Sequence, residues 1–82
     1  MKRYFFDLHD GIEFYSDPYG HDLDGDGRAL QQAVQYLAET ASDALPKTVA
    51  DRKMVVNVRD ADGLKVMVAS IIFEVRFSLS SS

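Results

Sequence analysis

Apolar and polar residues alternate from the start of the chain. Tyr4, Phe6 and Leu8 fall on one side, and Arg3, Phe5, Asp7 and His9 on the other, which predicts a strand over 2–9 whose aromatic side chains suit a pleated surface. Asp10-Gly11 is a hairpin turn signal. A returning strand over 12–15 follows, ended by the turn-forming run Ser16-Asp17-Pro18-Tyr19-Gly20. The period then changes to that of a helix. Leu30, Ala33, Val34, Leu37, Ala41, Ala44 and Leu45 recur at spacings of three and four, with Gln31, Gln32, Gln35, Glu39 and Asp43 on the outer side. Asp24 or Asp26 stands where a carboxylate can cap the first turn, Gly25 and Gly27 weaken that turn, and Pro46 closes the helix.

Alternation returns in the second half. Met54, Val56 and Val58 oppose Val55, Asn57 and Arg59 in a third strand over 54–59, and Asp60-Ala61-Asp62-Gly63 forms a second hairpin turn. From Leu64 to about Leu79 the odd positions are apolar throughout, while the even positions are apolar early and polar later. A strand apolar on both sides is one buried on both sides. The order strand, strand, helix, strand, strand predicts an α+β fold of ββαββ type: an antiparallel four-stranded sheet with one helix on one face. It forms a single domain over 1–79, with 80–82 a frayed serine tail. One helix covers only one face. Phe5, Val55, Leu64, Val66, Val68 and Ile72 are then left on or beside the other, as an exposed apolar patch that marks an interaction surface. The simplest occupant is a second copy about a two-fold axis, making a homodimer; a different protein partner is the alternative.

Length reinforces that expectation. A chain of 82 residues buries only about 60% of its unfolded surface, and small domains often add stability by association. There is no cysteine, so neither a disulfide nor a thiolate metal site supplements the core. No apolar run approaches the roughly 20 residues that cross a bilayer, and the apolar segment after the basic start is too short for a signal peptide. A cytoplasmic location is expected. Seven carboxylates and no Lys or Arg lie between Asp7 and Asp26, against nine basic and six acidic residues elsewhere. That acidic block would repel phosphate, and the basic residues form no stripe, which argues against nucleic acid as a partner.

Candidate chemistry is sparse. Asp22-x-Asp24-x-Asp26-Gly27 matches the first half of a calcium loop. The second half fails: the position that should supply a bidentate Glu is Ala33, and no helix precedes the loop. The sequence therefore requires no cofactor and leaves a weakly held divalent cation as a possibility, with Asp17 or the Tyr19 carbonyl as a further ligand. The alternative role for the stretch is an N-capping acidic turn. His9 and His21, with Asp10, Asp17 and Asp22 nearby, could form a mixed nitrogen–oxygen site or an acid–base pair, but a strand end and a loop are ordinary solvated positions. Asp7, inside an aromatic strand, needs a partner, and Arg59 or Arg76 on neighbouring strands could supply it. No nucleophile elbow, phosphate loop or Ser/His/Asp order is present, so a non-catalytic protein is expected.

Arg3-Tyr4-Phe5-Phe6-Asp7, with His9-Asp10-Gly11 at the turn, resembles the opening of a family of short bacterial proteins of unknown function, common in rhizobia and related alphaproteobacteria. The resemblance continues through Asp17, Gly20 and Leu23 and resumes at Val56-x-Val58-Arg59-Asp60-x-x-Gly63, covering residues 1 to about 77. It implies a small cytoplasmic domain without an assigned activity, cofactor or catalytic residue. The chain departs from the pattern at Gly25 and Gly27, where helix formers are more usual. A hairpin followed by a helix is also faintly similar to small antitoxin domains, which would make the chain a regulator lacking its DNA-binding part.

Overall fold

The computed structural model describes residues 1–48 and 50–78. Strand β1 (Lys2–Asp10) turns into β2 (Glu13–Tyr15), pairing Leu8 with Tyr15, His9 with Phe14 and Asp10 with Glu13. A short strand, β3 (His21–Leu23), pairs with the other half of the same β1 edge, Lys2 with Leu23 and Tyr4 with His21. Helix α1 (Asp26–Ala44) follows and tightens into a 3-10 turn at Leu45–Lys47. β4 (Arg52–Asp60) lies against the far edge of β1, and β5 (Lys65–Phe73) against β4. The sheet runs β2-β1-β4-β5, antiparallel throughout, with β3 sharing an edge of β1 with β2. This is the expected ββαββ plan with one short strand added.

The period of two in β1 and β4 fixes which residues go inside. Tyr4, Phe6 and Leu8 of β1 and Met54, Val56 and Val58 of β4 are buried, and the helix covers them with Ala29, Ala33, Leu37 and Ala41. Three alanines on that stripe let the helix backbone approach the sheet closely. The helix lies mainly over β4 and β5, with a lesser contact to β3. The β1–β2 end of the same face is less covered, which leaves a cleft there.

Several expectations are corrected. Ala33, Leu37 and Ala41 of the expected stripe are buried, but Leu30 and Val34 are about half exposed, because the inward stripe is narrower than expected and Ala29 completes it. Neither Asp24 nor Asp26 caps the helix. The N-cap is Gly25, at φ 141° and without a side-chain cap, while Asp26 sits inside the first turn, where its charge suits the helix dipole. β5 ends at Phe73; residues 74–78 carry no strand pairing, and Leu79 and the serine tail lie outside the described residues. The β4–β5 ladder shifts between Val58, which pairs with Met67, and Arg59, which pairs with Lys65. This leaves Val66 as an extra residue at a bulge.

Candidate functional site

The sheet face turned away from the helix is built from the odd positions of β1 and β4 and their β5 partners. Its rows are His9–Val55–Ser70, Asp7–Asn57–Val68 and Phe5–Arg59–Lys65. At its centre Asp7 is only 8% exposed. Arg59 donates to it from Nε at 2.8 Å, the Asp17 N–H donates at 2.9 Å and the Ser16 hydroxyl at 3.4 Å. Burial alone would push the Asp7 carboxyl up; Arg59 and the Asp17 N–H overrule it and hold the group below its ordinary range. The Arg59 guanidinium also lies 4.4 Å from the centre of the Phe5 ring, a cation–π contact. Of the two arginines expected to serve Asp7, Arg59 does so. Arg76 instead pairs with Asp51 and Glu74 near the end of the described chain.

Asp17 belongs to the same network. β3 covers β1 at residues 2–4 and β2 covers it at 8–10, so the edge between them has no strand partner. The Phe6 N–H there donates to Asp17 at 3.1 Å, and the Tyr19 and Gly20 N–H groups donate to the other Asp17 oxygen at 3.1 and 3.0 Å. The carboxylate replaces a missing strand residue and closes the loop onto the sheet. Burial pushes Asp17 up, and these N–H groups bring it net below its ordinary range. Arg3 donates to the Tyr19 carbonyl and to Asp22 and anchors the loop from the other side.

β5 is the outer strand of the sheet, bonded along one edge to β4. From Val66 to Phe73 it carries no charge and no proline. Val68 and Ile72 are 53% and 63% exposed. Val55, opposite Ser70 in the register, sits diagonally between them and is half-buried, so Val55, Val68 and Ile72 form one apolar triangle. The other three residues expected on this patch do not join it. Phe5 lies on the same face but under Arg59, Leu64 is exposed in the turn, and Val66 at the bulge packs against the core.

The aspartate loop does not converge on a point. Asp22 is on β3 and paired with Arg3 at 3.1 Å; Asp26 is in α1 and accepts from the Tyr4 hydroxyl at 2.8 Å; Asp24 is exposed; Asp17 is occupied by backbone donors. Among the described residues no group of three or more His, Asp or Glu is placed to hold a metal ion. The calcium expectation fails because β3 and the helix draw alternate aspartates onto separate elements. His9 and His21 are likewise apart: His9 packs on Phe14 on the open face, and His21 stands edge-on to Phe6 on the helix face.

Among the described residues no helix is long and apolar enough to cross a membrane. Residues 3–78 match the family described as DUF6894, a domain of unknown function. No curated protein and no solved structure matches the chain.

Proposed function

We propose, for a chain that belongs to the DUF6894 family, that it is a non-catalytic interaction module which forms a homodimer through β5. The observation that carries this reading is the character of that strand. Natural proteins blunt sheet edges with charges, prolines or covering loops, and β5 has an uncharged, proline-free stretch beside the triangle of Val55, Val68 and Ile72. A second copy laid antiparallel along β5 about a two-fold axis gives its outer N–H and C=O groups partners. The same operation sets Val68 and Ile72 of the two copies side by side on one continuous sheet face. The paired state of Asp7 and the scattered histidines favour a binding rather than a catalytic role, and a chain without cysteine suits the reducing cytoplasm.

Light scattering behind a sizing column tests the reading. The 9.2 kDa chain is expected to run at twice its mass. Val68→Lys combined with Ile72→Lys, both at exposed positions, is expected to run as a folded monomer with an unchanged far-UV circular dichroism spectrum. A wild-type monomer across the micromolar range overturns the proposal.

A further inference from the structure

We infer that the cleft between α1 and the β2–β3 connection binds a small organic cation, an amine or guanidinium on a slim apolar stem. The site is independent of the β5 seam, since it lies on the helix face at the opposite end of the sheet. It exists because α1 is seated chiefly over β4 and β5, so that beside Phe6 one flank of the helix stands off the β2–β3 connection and leaves a gap. The space is about 290 Å³, at the small end of ligand sites.

Its lining sets the ligand's chemistry. Phe6 and the His21 ring edge-on to it form an aromatic floor, with rings 5.6 Å apart, and Tyr15 and Tyr36 stand on opposite walls. Faces of this kind attract cations and pack an aliphatic stem. No lysine or arginine lines the cleft, whereas Asp17 and Glu39 do. Asp17 is committed to backbone N–H groups, but its charge still acts: the Tyr36 hydroxyl is pushed up by burial and then by the negative charges of Asp17 and Asp7. Glu39 is the exposed counter-ion at the rim, with one oxygen held by the Gln35 amide at 2.9 Å and capacity to accept more. An anion would find amide and hydroxyl donors and the His21 ring N–H, but it would meet two carboxylates and no lysine or arginine. A bare divalent ion would find too few converging oxygens.

The probe is agmatine, with pentanol and pentanoate as neutral and anionic controls of similar stem length, titrated into the ¹⁵N-labelled chain. Saturable amide shifts confined to Phe6, Tyr15–His21 and Gln32–Glu39 are expected with agmatine and absent with both controls. Glu39→Gln, on the exposed helix surface, is expected to weaken binding about 2–5-fold, as loss of one rim ion pair would. Tyr36→Leu is expected to weaken it about 2–5-fold through the lost cation–π contact. No saturable shift with agmatine, equal shifts with pentanol, or an unchanged affinity in Glu39→Gln overturns the inference. The Val68→Lys, Ile72→Lys monomer should bind agmatine as the wild type does, which separates this test from that of the dimer.

Discussion

A methyl group added at Gly20 would meet the Phe5 ring and the Tyr4 carbonyl oxygen, each at 2.9 Å, on a backbone at φ +74°. The carbonyl belongs to a paired strand and cannot retreat, and the conformation itself disfavours a side chain. Gly20→Ala should therefore destabilise the fold by about 2–3 kcal/mol, the sum of a strained left-handed residue and a backbone clash, read from the shift of a urea midpoint. Asp17 and Gly20 act together: one bonds the loop to β1, the other lets it come close enough to be bonded. The turn was legible in Ser16-Asp17-Pro18-Tyr19-Gly20. The use of Asp17 to patch the β1 ladder was not, because it depends on two short strands leaving one gap between them. Asp7 was legible as an acid in need of a partner, but the choice between Arg59 and Arg76 rested on strand order, which alternation does not encode.

At the scale of elements, β1 and β4 were readable because strict alternation over a long strand fixes which side chains go inside. β3 was not, because His21-Asp22-Leu23 is too short to show a period and exists to fill part of the long β1 edge. The helix was legible in its inward face at Ala33, Leu37 and Ala41, but not at the margin of the stripe. There Ala29 packs onto the sheet, and Leu30 and Val34 are left about half exposed. Leu37→Ala should accordingly cost about 2–4 kcal/mol through a cavity in the core, whereas Val34→Lys should stay within about 0.5 kcal/mol of wild type. Gly27 lies inside the first turn with nothing within 4 Å of an added methyl group. Gly27→Ala should raise stability by about 0.5–1 kcal/mol through helix propensity alone, seen as a higher melting temperature. The aspartate loop misled for a related reason: spacing along a chain implies a shared site only where the backbone keeps those residues in one loop, and here it divides them between β3 and α1.

For the whole molecule, the carboxylates that join its parts set its response to acid. Arg52 forks onto Asp10 at 2.9 and 2.6 Å, joining the start of β4 to the end of β1, and its hydrogen bonds hold Asp10 below the ordinary carboxylate range. Asp7 and Asp17 are lowered as well. Groups with a depressed folded pKa contribute stability that is fully present above their unfolded value, about 4, and lost as pH falls through the folded values. The urea midpoint should be insensitive to these groups from neutrality down to about pH 5 and fall steeply below about pH 4, with a shallower acid slope in Asp17→Asn. The central claim, that β5 is a seam between two copies, is tested most directly by amide exchange along that strand. Alternate N–H groups of Val66–Ile72 face away from β4. In a dimer they are predicted to exchange as slowly as those bonded to β4, and to lose that protection on dilution and in the Val68→Lys, Ile72→Lys variant. Exchange of the outward amides at open-strand rates at every concentration would contradict it.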